Sequence, residues 1–165
     1  MKIKFTKDVS LKDSLVFEEI YPDNLQWNLE DKQKLKDDGV EFMYMVNEDT
    51  NELIAEVYFI PLDEMKDLDA DEEQLDDGLE NYYGKNMMYC FSNTVLPQFQ
   101  QQGFGRLLKS WFLGYSKGKG FDYAIGHARD NGSIQLNESF GATVRRKFEE
   151  WYGKKENVYL YMQEL

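Results

Sequence analysis

Between residues 95 and 108 the chain reads VLPQFQQQGFGRLL, where a run of strand formers stops at Pro97 and a helical pattern begins inside the pair Gly103 and Gly105. A strand that passes through a short turn into a helix is half of a crossover, the connection that joins parallel neighbours in a layered fold. Phe104, Leu107, Leu108, Trp111 and Tyr115 recur at helical spacing and predict one face packed on a sheet, with Gly118 and Gly120 offering the stop. The start of such a helix presents unpaired N–H groups and about half a positive charge. Glycines without Cβ let a phosphate approach that backbone closely.

Spacing narrows the phosphate. A nucleoside triphosphate loop needs Lys followed by Ser or Thr after its last glycine, and Arg106-Leu107 stands there instead. A dinucleotide turn needs a third small residue three positions after the second glycine, where this chain has Leu108. The pattern Val-x-Pro-x-x-Gln-x-x-Gly-x-Gly-x-x-Leu resembles the pyrophosphate-binding motif of the GNAT superfamily of N-acyltransferases, with Gln100, Gly103 and Gly105 in the defining places. The resemblance implies acetyl-CoA as acyl donor. Its pyrophosphate would lie on the turn formed by Gln100, Gln101, Gln102, Gly103, Phe104, Gly105 and Arg106, and its pantetheine arm would pair with backbone near Val95. A later stretch, DNGSIQLNESFGA from residue 130, resembles the family's second strand-to-helix element and adds Asn131 to the coenzyme-binding residues. From the residues alone, Asp130 or Asn131 is expected to cap that helix and Gly141 to end it.

The rest of the pattern fits one α/β domain over residues 1–165. A first strand at Ile3 and Phe5 precedes two helices at 11–20 and 29–38, then a hairpin at 41–46 and 53–60 around turn residues 47–51. Strands are expected at 87–95 and 121–128, helices at 104–115 and 133–140. The chain closes with an antiparallel hairpin of 143–151 and 157–162 around Gly153-Lys154-Lys155. The alternation predicts parallel neighbours, the hairpins antiparallel ones, and the family resemblance a mixed, mostly antiparallel sheet flanked by helices. Residues 61–85 interrupt this plan as an acidic insertion, in which Met65, Leu68, Leu75 and Leu79 could give a short helix a weak apolar stripe.

That insertion holds ten carboxylates against Lys66 and Lys85, most of the chain's net charge of -12. Such a balance disfavours nucleic acid and anionic membranes, which reward clustered Lys and Arg. It also predicts a cationic acceptor if the insertion overhangs the acceptor side. No apolar run approaches a membrane span, and the first residues alternate as a strand does, unlike a signal peptide. One cysteine, Cys90, excludes a disulfide framework and no metal-ligand spacing occurs, so a reducing cytoplasm is the expected compartment.

Aminolysis of a thioester needs a neutral amine, a polarised carbonyl and a proton for the leaving thiolate. The resemblance implies a tyrosine acid in the later helix, but alignment on Gly141 puts Asn137 there, and an amide is no general acid. His127, the sole histidine, is expected near the end of its strand as a candidate base. Glu56 is the competing base, with an outward-facing place in an alternating strand as its expected position. The function expected is transfer of an acetyl group from acetyl-CoA to a primary amine of a small molecule or peptide. Two readings stand beside it: a non-catalytic CoA-binding regulatory domain, and an interaction protein that docks a basic partner through the acidic insertion.

Overall fold

The computed structural model describes residues 1–68 and 76–165. Among these, β1 (Ile3–Thr6), α1 (Leu11–Ser14), α2 (Leu29–Asp37), β2 (Glu41–Asn47), β3 (Leu53–Pro61), β4 (Met87–Val95), α3 (Phe104–Gly118), β5 (Tyr123–Arg129), α4 (Ser133–Ser139), β6 (Thr143–Trp151) and β7 (Lys154–Glu164) follow in order. The strands form a mixed, mostly antiparallel sheet in the order β1-β2-β3-β4-β5-β7-β6. Its parallel register sets Met87–Cys90 against Tyr123–Gly126, and both strands continue past the last pair. The expected single-domain fold class is met. By contacts the chain divides into two compact units, Met1–Phe59 with Ser92–Phe112, and Ile60–Phe91 with Leu113–Leu165.

In the first unit, Ser10 and Asn28 cap α1 and α2 by accepting the amides of Asp13 and Asp31. The single helix expected at 11–20 is instead one α-turn followed by a 3₁₀ stretch, Leu15–Ile20. Leu11, Ser14 and Phe17 are buried at intervals of three, the period of the tighter helix. The core gathers Phe17, Tyr44, Met45, Ile54, Val57 and Phe59 with Leu108 and Phe112 of α3. β3 is buried along both faces, from Ile54 to Ile60.

In the second unit, α3 ends at Gly120 and α4 at Gly141. Each closes with paired backbone bonds: Phe121 to Ser116 and Gly120 to Lys117, then Ala142 to Asn137 and Gly141 to Glu138. The residue preceding α4 is Gly132, not Asp130 or Asn131, and the Asn131 side chain accepts the Ser133 amide at 3.3 Å. The terminal hairpin turns at Tyr152-Gly153, one residue earlier than expected, so Lys154 and Lys155 belong to β7. Both turn residues have positive φ, as a two-residue hairpin loop matched to strand twist requires.

The acidic insertion begins with a 3₁₀ turn, Leu62–Asp67, and its far end forms another, Leu79–Asn81. Leu75 of the expected stripe, with residues 69–74, lies outside the described residues.

Gly126 permits a close crossing. A Cβ there would meet the Tyr161 hydroxyl at 2.6 Å and the Cys90 carbonyl at 2.9 Å. Gly126→Ala is therefore expected to cost about 1–3 kcal/mol, and Tyr161→Phe, by removing the nearest atom, to return part of that loss. Urea denaturation of the single and double variants measures both.

Candidate functional site

β4 leads into the glycine turn through Leu96, whose amide donates to the Ile54 carbonyl at 3.0 Å. Pro97–Phe99 form a 3₁₀ turn. Two glutamine side chains then tie the loop to itself: Gln100 Nε2 donates to the Val95 carbonyl at 3.0 Å, and Gln102 Nε2 to the Gln98 carbonyl at 3.1 Å. Gln101 and Gly103 both have positive φ, +60° and +88°. The Gly103 carbonyl accepts the Leu107 amide, which starts α3 at that residue. Gln100 to Gly103 and Arg106 are exposed, Phe104 and Gly105 half-buried. A Cβ on Gly103 would find nothing within 4 Å, so the space over its backbone is open.

The first turn of α3 thus offers amides without intrahelical acceptors, the positive end of a 15-residue helix and an adjacent arginine. Val95 and the run from Gln100 to Arg106 come together here, and this surface can receive a pyrophosphate. Asn131 belongs to the second unit and is spent on the start of α4.

Glu56 does not face outward. It is 1% exposed and its Oε2 accepts from Lys32 Nζ at 2.8 Å. The same fully buried ammonium reaches Glu18 Oε2 at 3.2 Å and the Ser14 carbonyl at 3.3 Å. Alternation failed as a guide because α2 and the stretch before it cover the face of β3 that Glu56 occupies. Burial raises the Glu56 carboxyl to about 7, Lys32 opposing and Glu18 adding to the shift. Its Oε1 faces Tyr44, its cross-strand partner, and neither that oxygen nor the Tyr44 hydroxyl makes a hydrogen bond of ordinary geometry among the described residues. Nearby, the Tyr21 hydroxyl bonds both Ser92 and Thr94 of β4, the latter at 2.6 Å. Trp27 Nε1 donates to the Tyr58 hydroxyl at 3.1 Å.

His127 on β5 is half-buried, and both ring nitrogens are engaged. Nε2 lies 2.7 Å from the Asp77 carbonyl and Nδ1 2.7 Å from the Tyr89 hydroxyl. A carbonyl only accepts, so Nε2 carries the proton. Burial lowers the imidazole to about 4, so the ring is neutral and Nδ1 accepts from Tyr89. Trp151, at 4.6 Å between ring centroids, and Phe148, at 5.9 Å, wall the imidazole. Tyr89 and the Asp77 carbonyl carry no signal in the sequence, since they stand 38 and 50 residues from His127. Only the parallel register of β4 and β5 brings Tyr89 alongside.

Asn137 is buried in α4. Its Nδ2 donates to the Ser133 carbonyl at 2.9 Å, and its Oδ1 has no hydrogen-bond partner among the described residues. Among the described residues no group of three or more His, Cys, Asp or Glu side chains could hold a metal, and no helix is long and apolar enough to cross a membrane.

No family sequence model and no curated protein matches the chain. Solved structures do, along nearly its whole length. They include NAA60 of Arabidopsis thaliana in complex with acetyl-CoA, at TM-score 0.72 and 17% identity over 99% of each chain. Ard1 of Thermoplasma volcanium gives TM-score 0.74 and 12% identity over 100% of this chain and 99% of that one. A GNAT superfamily phosphinothricin acetyltransferase of Sinorhizobium meliloti, solved with acetyl-CoA, gives 0.69 and 14% over 100% and 89%. This chain has the GNAT acetyltransferase fold. At these identities the likeness is one of fold, and it extends through the glycine turn, β5 and the terminal hairpin.

The two shifted groups act on stability in opposite directions. His127 stays neutral in the native state, so the unfolded chain protonates first; the stability this gives is full above the ordinary 6.5 and lost as pH falls toward about 4. Glu56 holds its proton longer in the native state, so its contribution is full below 4.5 and lost as pH rises toward about 7. Between these limits, unfolding free energy of His127→Gln should fall more steeply with rising pH than that of wild type. Glu56→Gln should shift the slope the other way. Denaturant titrations across that interval check both signs.

Proposed function

We propose that this protein is an acyl-CoA-dependent N-acyltransferase that moves an acetyl group from acetyl-CoA to a primary amine by direct attack. The observation that carries the reading is the glycine turn: exposed amides and an open Gly103 backbone at the start of a long helix, within a GNAT fold. The turn amides and Arg106 would hold the pyrophosphate, and the backbone near Val95 the pantetheine arm. Gln100 serves the turn through its bond to the Val95 carbonyl, holding the end of β4 against the loop.

In the reaction the amine nitrogen attacks the thioester carbonyl, the new C–N bond forms, and the C–S bond breaks with its electron pair leaving on the coenzyme sulfur. The amine proton must go to a base. His127 is assigned that part. It is half-buried and oriented by the Tyr89 hydroxyl, whereas Glu56 is fully enclosed and bound to Lys32. Asn137 donates to the Ser133 carbonyl and its amide is no general acid, so the leaving thiolate, a good leaving group without full protonation, takes its proton from solvent or from the protonated base.

Acetyl-CoA is expected to bind in the micromolar to sub-millimolar range of enzyme substrates. Gly103→Val should abolish that binding with the fold intact, because a branched residue at φ +88° fills the phosphate's approach. Calorimetry on the folded variant decides it, and unchanged affinity would refute the coenzyme assignment. His127→Gln should lower turnover roughly a hundredfold while keeping acetyl-CoA affinity, read as thiol release against a panel of polyamines, amino acids, aminoglycosides and peptides. Tight binding with no thiol release from any amine would favour a CoA-binding regulatory domain instead.

A further inference from the structure

The far end of the acidic insertion lies across the β5–β7–β6 face of the second unit. Asp76 forms a two-pronged ion pair with Arg146 of β6, at 3.0 Å and 2.7 Å. The Asp77 carbonyl takes the Nε2 proton of His127. Gly78 packs so closely that an added Cβ would stand 3.1 Å from Leu160 and 3.3 Å from Phe148. Leu79 is fully buried. Arg146 itself lies over the Phe148 ring at 4.4 Å. Four successive residues are thus fastened by charge, backbone and packing.

From this arrangement we infer that residues 76–79 are a latch that holds the candidate base in the wrong tautomer, so that release of the Asp77 carbonyl from His127 is what switches proton acceptance on. The inference rests on the acyltransferase reading for the role of His127. The chemistry follows from what each partner can do. While a carbonyl occupies Nε2, that nitrogen must be N–H, and its lone pair is absent. The remaining lone pair, on Nδ1, is taken by the Tyr89 hydroxyl. When the carbonyl moves away, the proton can reside on Nδ1 and be donated to the Tyr89 oxygen, because a hydroxyl both donates and accepts. Nε2 then presents a lone pair to the amine, and no atom or charge is gained or lost in the exchange.

Asp77 is the charged residue that acts on His127, and Tyr89 is the titratable partner from β4. Asp76 and Glu80 act on Arg146, the ion-pair partner of the segment that carries Asp77. Loss of the Asp77 contact removes an acceptor that favours the charged ring, while water admitted to the imidazole relieves the burial that disfavours it, so the two changes oppose one another in the midpoint and the tautomer is what distinguishes the released state.

The ion pair is the place to test the latch, because Asp76 and Arg146 are 63% and 47% exposed. An exposed pair of this kind changes a two-state equilibrium by about two- to fivefold. This chain has a single histidine, so ring ¹⁵N and ¹³C spectra report one residue without mutation of others. In Asp76→Asn and in Arg146→Gln, the Nδ1–H tautomer of His127 is expected to grow, and thiol release with acetyl-CoA and the same amine panel to increase about two- to fivefold. The charge exchange Asp76→Arg with Arg146→Asp should return both readouts toward wild type. Ring resonances unchanged in both single variants overturn the latch, whatever happens to acetyl-CoA. Moved resonances with faster turnover support it, and moved resonances with unaltered turnover overturn its link to catalysis. Moved resonances with no acetyl-CoA binding by any variant overturn the acyltransferase reading instead.

Discussion

The parallel pairing of β4 with β5 is the constraint from which the rest of the second half follows. Two parallel strands cannot be joined by a tight turn, so the chain must leave the end of β4, cross the sheet as a helix and re-enter alongside. That requirement puts a helix start, whose first amides have no intrahelical acceptor, at the end of a central strand. Gln100 and Gln102 close the loop on its own carbonyls, and Gly103 provides the backbone conformation and the open approach. The same pairing sets Tyr89 beside β5, and so fixes which side chain orients His127. One topological demand therefore sets both the helix start after β4 and the pairing of Tyr89 with His127.

Antiparallel β7 completes the arrangement. Tyr161 reaches over Gly126 to the last register pair of β4 and β5, and Leu160 on the next position supports the packing of Gly78. A residue with any side chain at 126 would push these strands apart, so a glycine in the middle of a buried strand, ordinarily weakening, here sets the spacing.

The residues that were legible in the sequence are those whose signals are local. Strand and helix periods, the proline stop at Pro97, the glycine pair and the helix-ending Gly120 and Gly141 each act through neighbours within one turn, and the elements lie where those signals predict. The terminal hairpin was displaced by one residue because Tyr152 adopts positive φ, which its side chain does not advertise. The cap of α4 moved to Gly132 for the same reason: backbone shape, not side-chain preference, decided it. Glu56 was misplaced because alternation assumes one wet face, while β3 is covered on both. Its neutralising partner Lys32 sits 24 residues earlier on a polar-looking helix, and nothing in that helix pattern says that its lysine turns inward.

The two buried polar clusters differ in how firmly they are held, and the difference bears on function. The Lys32 cluster sets a fully buried ammonium between two carboxylates, and removing one partner of such a set typically costs about 3–5 kcal/mol because the remaining charge stays out of water. It is a fixed part of the first unit. The contacts over His127 are of another kind: one neutral hydrogen bond and one exposed, solvent-screened ion pair. Leu79 keeps the segment anchored while those contacts exchange, since its buried side chain carries the larger apolar term. A segment anchored at one residue and weakly bonded over the two or three before it moves locally without unfolding what it covers. The inferred latch thus needs only residues 76–79 of the acidic insertion to act on chemistry at a single imidazole nitrogen.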